Sequence, residues 1–143
     1  MHQSALTGSA REMTFGQFLE RVRYDGAYPS RESAEVVVRD VLAALGRMLT
    51  ASERTELAAC LPPAAADVLT RQEPGGARLN GREFVMDLAE RTGAGPAVAR
   101  WNTGSVLAAV AGLAGPDTLD RLLAGLPAGY ALLFGRAELI RAA

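Results

Sequence analysis

Leu57-Ala58-Ala59-Cys60-Leu61-Pro62 is answered 65 positions later by Leu122-Leu123-Ala124-Gly125-Leu126-Pro127, with the same Leu-Pro pair at its end. At this offset Leu42 falls on Leu107, Ala43 on Ala108, Ala44 on Ala109, Leu45 on Val110 and Leu69 on Phe134. One residue of slippage brings Phe18 to Phe84. The matches are mostly apolar on apolar, as expected of a repeated core whose surface has drifted. In each copy the leucine is expected to seal one helix into the core. The proline then opens the next helix at its first position, where a missing N–H costs nothing.

The two copies also begin alike. In Met13-Thr14-Phe15-Gly16-Gln17-Phe18, Thr14 is placed to cap a helix, Gln17 to reach back to it, and Met13 to staple onto Phe18. Leu79-Asn80-Gly81-Arg82-Glu83-Phe84 repeats this with Asn80, Glu83 and Leu79. The resulting expectation is an all-α chain: two pseudo-symmetric tandem repeats of about four helices each, packed into one globular helical domain. Residues 1–12 read as a flexible tail, 13–70 as the first repeat, 71–78 as a linker rich in Pro and Gly, and 79–143 as the second repeat.

Within that frame the apolar spacing predicts a first helix from Phe15 to Tyr24, ended by Asp25-Gly26. Ser30 caps the next, from Arg31 to Leu49, whose Val38, Val41, Leu42, Leu45, Met48 and Leu49 form a broad inward stripe. Thr50 with Glu53 opens a third helix, and Pro62 turns the chain into a short fourth that runs from about Pro63 to Thr70. The second repeat gives helices over 81–91 and 96–114, one starting at Pro116, and one after Pro127 that carries Tyr130, Leu132, Leu133 and Phe134. Gly104 and Gly112 fall inside the 96–114 helix, either to admit a close neighbour or simply as weak points worth about 1 kcal/mol each. Leu139 and Ile140 are read as a last turn docked on the body.

Composition narrows the function classes. The hydrophobic share is 49 % with only 6 % aromatic residues, which favours closely packed helices over a sheet. All 15 basic residues are arginine, a matter of codon usage, and the net charge of −1 leaves no basic footprint for nucleic acid. No apolar run is long enough for a membrane span and the N-terminus has no signal-peptide core, so a cytoplasmic protein is expected.

Chemistry-bearing patterns are few. His2 lies in the tail, and Cys60 sits on an apolar stripe as a small hydrophobe. Neither joins a cluster with metal-ligand spacing. Glu83, Asp87 and Glu90 share one helix face as acid–base or hard-metal candidates, but Asp87 also stands four residues from Arg91, the spacing of a solvated ion pair. Neither a G-x-x-x-x-G-K-[ST] nor a G-x-G-x-x-G pattern is found. No catalytic residue, cofactor or metal ligand can therefore be named, and the reading leans away from an enzyme.

Four residues stand out as binding candidates: Arg100, Trp101, Leu132 and Phe134. Arg and Trp are common in interface hot spots, and Tyr24 and Tyr28 could complete an aromatic pocket with them. Trp101 aligns with Val36 beside the core stripe, so core packing is its first expectation and a partner or ligand surface its second. Leu132 and Phe134 make the last helix more apolar than a surface requires.

The helix motif Phe15-x-x-Phe18-Leu19-x-x-Val22, the motif Val41-Leu42-x-x-Leu45-x-x-x-Leu49 and the two Leu-Pro corners together resemble the bacterial family catalogued as domain of unknown function 2267, over roughly residues 13–135. The resemblance implies an all-helical protein of two similar halves and carries no reaction, cofactor or catalytic residue. The expected function is a protein–protein interaction or self-association module, with a homo-oligomer or another protein as partner. The alternatives are a binder of a small apolar ligand in a groove between the repeats, and an enzyme of unknown reaction.

Overall fold

The structure, a computed structural model, describes residues 13–73, 75–76 and 78–136. The expected N-terminal tail with His2, and the expected last turn at Leu139 and Ile140, lie outside the described residues. Among the described residues the chain is all-helical: α1 (Phe15–Gly26), α2 (Arg31–Met48), α3 (Ala51–Ala58), α4 (Pro63–Thr70), α5 (Gly81–Thr92), α6 (Pro96–Gly125) and α7 (Tyr130–Leu133).

Four helix starts are fixed by reciprocal caps, which satisfy backbone N–H groups that a helix end otherwise leaves unpaired. Thr14 and Gln17 form one on α1, Thr50 and Glu53 on α3, and Asn80 and Glu83 on α5, as the sequence predicts. On α2 the cap is Ser30, and its reciprocal partner is Ser33.

α2 is the central element. Val38, Val41, Leu42 and Leu45 are fully buried, and the helix packs on α1, α4, α5 and α6. α6 packs on α1, α2, α3, α5 and α7. It is broken at Gly115, whose φ of 83° and ψ of 163° are not helical, and Pro116 restarts it. The expected helix start at Pro116 therefore holds, although the two segments run on without an intervening loop. Gly112 faces open space, and a methyl on Gly104 would meet only the tip of Arg100. Neither glycine admits a neighbouring helix.

Three boundaries differ from expectation for physical reasons. α1 continues through Gly26, and the left-handed position that follows it is taken by Ala27 at φ 57°. Gly26 instead serves a close approach, since a Cβ there would lie 2.3 Å from the Tyr28 ring. In the first Leu-Pro corner Pro62 is the cap and Pro63 the first residue of α4. In the second, no helix follows Pro127 directly. Ala128 instead accepts a hydrogen bond from Gly81 N–H (2.8 Å), Gly129 is left-handed at φ 99°, and α7 begins at Tyr130.

The segment between α4 and α5 is fastened at Arg78. Its guanidinium donates to the Met48 carbonyl at the end of α2 (2.6 Å), to Glu53 of the α3 cap (3.2 Å) and to the Gly125 carbonyl at the end of α6 (2.5 Å). One side chain thus satisfies the carbonyl ends of two helices and ties both to the start of a third. Hydrogen bonds to a charged group are worth about 1.5–3 kcal/mol each when buried, and this group is a third exposed. Arg78→Ala is therefore expected to lower unfolding stability by about 2 kcal/mol in denaturant titration, whereas Arg71→Ala, in an exposed pair with Asp67, should change it by less than about 0.5 kcal/mol.

Candidate functional site

Of the four candidate binding residues, Arg100 and Trp101 lie together on α6. Trp101 is not part of the core. It is 56 % exposed, and its indole N–H donates to the carbonyl of Gly26 at the end of α1 (2.9 Å). The close approach allowed by Gly26 makes this reach possible. Next to it, the Tyr28 hydroxyl donates to Asn102 Oδ1 (2.6 Å), and burial raises the Tyr28 phenol above its ordinary range. Two adjacent residues of α6 thus latch onto the α1–α2 corner. Ser105 Oγ bonds back to the Trp101 carbonyl (2.9 Å).

The latch consumes the polar edge of Trp101 and leaves its ring to solvent. Val98, one turn earlier on α6, and Tyr24, in the last turns of α1, are also exposed. Exposed Val36 of α2 shares a cleft of about 190 Å³ with Val37, Asp40, Thr92, Ala94 and Asn102. Arg100 lies back along its own helix over Gly104, with no carboxylate at ion-pair distance among the described residues. A hydrogen-bonded but exposed indole ring and, on the preceding residue of α6, a guanidinium without an ion pair among the described residues are thus both left to solvent.

Leu132 and Phe134 belong to a different place and to two different environments. Leu132 is 56 % exposed, whereas Phe134 is 2 % exposed and joins the core. The reason lies in the short span of α7. With Tyr130 anchored inward, edge-on to Phe84 (5.7 Å between centroids) and donating to the Leu79 carbonyl (2.8 Å), residues 133 and 134 turn inward while 132 faces out. Phe134 therefore offers no surface to a partner.

The carboxylates of α5 are engaged locally. Glu83 accepts from the Asn80 N–H in the cap (2.9 Å), and Asp87 pairs with Arg91 (2.8 Å). Among the described residues no group of three or more His, Cys, Asp or Glu is arranged to hold a metal ion. Cys60 is half-buried, its Sγ 3.7 Å from the Glu56 carbonyl. No described helix is long and apolar enough to cross a membrane.

A family model described as an uncharacterized conserved protein (DUF2267) matches residues 15–133. No curated protein matches the chain.

Two outcomes follow from the α7 geometry. Phe134→Ala should cost about 3–5 kcal/mol of stability, whereas Leu132→Ser should stay within about 0.5 kcal/mol, both read by denaturant unfolding. Burial pushes the Tyr130 phenol well above its usual 10.0. Its contribution to stability is thus fully present below about pH 10 and is lost as pH rises further. The melting temperature should fall above that pH, and Tyr130→Phe should flatten part of the slope, with Tyr28 contributing in the same direction.

Proposed function

The chain belongs to the DUF2267 family, whose description names no activity, and we propose from its geometry that it works as a non-enzymatic interaction module. The observation that carries this reading is the state of Trp101, the chain's one tryptophan. Its hydrogen-bonding edge is already satisfied inside the protein, so the exposed ring offers apolar area with no polar group left to desolvate. A ring held in this way also loses little rotamer freedom on binding, which is the main cost that a preorganised contact avoids.

The expected partner is another protein that presents an apolar side chain flanked by carboxylates. Arg100 supplies the charge for such a contact. Self-association through this face is disfavoured, because a two-fold interface uses the same patch on both copies and so places two Arg100 guanidiniums, neither ion-paired among the described residues, in one interface. We also read the chain as a duplicated half. The matching caps at Thr14–Gln17 and Asn80–Glu83 support this, as does the α6 break at Gly115, 65 positions from the cap of α3 at Thr50.

The test uses two amphipathic model peptides of equal length, one with leucine and glutamate at helical spacing and one with leucine and lysine. The glutamate peptide should shift Trp101 fluorescence and the lysine peptide should not. Arg100→Glu should reverse that preference while leaving the melting temperature unchanged. Equal binding of both peptides by both proteins, or no binding, would remove the Trp101 face from consideration. A native mass of twice 15.0 kDa would reinstate self-association.

A further inference from the structure

A second cavity, on the far end of α2 from the Trp101 face, stands independently of that reading. It has a volume of about 190 Å³ and lies where the end of α2 (Ala44, Arg47, Met48), the connecting segment (Gly75, Leu79) and α5 (Phe84, Asp87, Arg91) meet. Its floor is apolar, since Ala44, Met48 and Phe84 are buried and Leu79 packs on the core. Its rim carries two guanidiniums and one carboxylate.

The charges do not balance. Asp87 is held by Arg91 Nε at 2.8 Å. Arg47 has no ion pair among the described residues, and its side chain reaches only the Gln72 amide oxygen, at 3.4 Å. Arg47 is drawn from water by its surroundings and repelled by Arg91, and both effects lower its pKa, with Asp87 opposing them in part. A cationic residue in the last turn of a helix is ordinarily explained by the helix dipole. That explanation covers the position of Arg47 but not the apolar cavity beneath it or the second arginine across it.

We infer that this cleft between α2 and α5 is a binding site for a small organic monocarboxylate, its acid group received by Arg47 and Arg91 and its hydrocarbon part by Ala44, Met48, Leu79 and Phe84. Guanidinium recognises carboxylate by paired N–H donors, and the apolar floor excludes water from one side of that contact. The size supports a small molecule. The volume equals that of about six waters at roughly 30 Å³ each, below the roughly 300 Å³ at which drug-sized pockets begin. An inorganic anion would satisfy the arginines and leave the floor unfilled. A neutral apolar molecule would fill the floor and leave Arg47 uncompensated.

The experiment measures affinity by NMR titration with four probes at millimolar concentration: hexanoate, benzoate, hexanol and inorganic phosphate. Hexanoate or benzoate should bind at least about tenfold tighter than hexanol and phosphate. Arg47→Gln should weaken the carboxylate by about tenfold, whereas Arg39→Gln, whose partner is Glu35, should leave it unchanged. Asp87→Asn removes the carboxylate that competes for Arg91 and should tighten binding several-fold, a gain that simple destabilisation would not produce. Equal affinity for hexanol and hexanoate would overturn the proposal, as would preference for phosphate or an Arg47→Gln protein that binds like the parent.

Discussion

A helix that is apolar on more than one side has no stable place at a surface. α2 is such a helix, with Ala34, Val38, Val41, Leu42, Ala44, Leu45 and Met48 buried around much of its circumference. Burying it requires cover from several directions, and α1, α4, α5 and α6 provide that cover. Most connections are short in consequence, the segment between Thr70 and Gly81 being the exception. The reciprocal caps at Thr14, Ser30, Thr50 and Asn80 allow such abrupt starts by satisfying the N–H groups of the cap and of the third helical residue. Arg78 does the corresponding work at the carbonyl ends, where one guanidinium serves α2 and α6 together.

The sequence made the skeleton legible because caps and apolar stripes are local signals. Thr50-Glu53 and Asn80-Glu83 announce helix starts within four residues, and the 3.6-residue spacing of Val38, Val41, Leu42 and Leu45 identifies the inward face. What could not be read depended on a neighbour far along the chain. Gly26 resembles a helix terminator, but its small size serves a contact with Tyr28 and Ser105, and Ala27 takes the left-handed position. Pro127 resembles Pro62, but the pairing of Ala128 with Gly81 holds the segment as a loop.

The candidate sites were legible only in part, for the same reason. Arg100 and Trp101 could be singled out by residue type. The bond from Trp101 to Gly26 spans 75 positions, so no local pattern separates an exposed, latched tryptophan from a core one. Leu132 and Phe134 are two residues apart and looked equivalent. Their separation into surface and core follows from how Tyr130 is anchored, which no local pattern encodes. The arginine pair at the α2–α5 cleft has no signal in the sequence, since Arg47 and Arg91 stand 44 positions apart and neither belongs to a motif. An unbalanced charge between distant segments leaves no trace in sequence spacing.

In a helical protein with few chemistry-bearing side chains, the way its charges are spent indicates where a ligand can act. Nine arginines among the described residues are ion-paired, mostly with carboxylates three or four positions away, and these pairs are worth little individually. They show that the sequence ordinarily supplies a carboxylate where it places a guanidinium. Four described arginines, Arg47, Arg54, Arg82 and Arg100, break that habit; Arg54 donates to the Gln72 carbonyl instead, while Arg47 lines a small apolar-floored cleft and Arg100 adjoins the exposed Trp101 in sequence. Charge left unpaired next to apolar area is poor for solubility and neutral at best for stability. Its most economical explanation is a molecule that brings both the missing carboxylate and the missing apolar contact. The two sites differ in shape, one concave and small, the other open, and so they call for a small acid and a protein respectively.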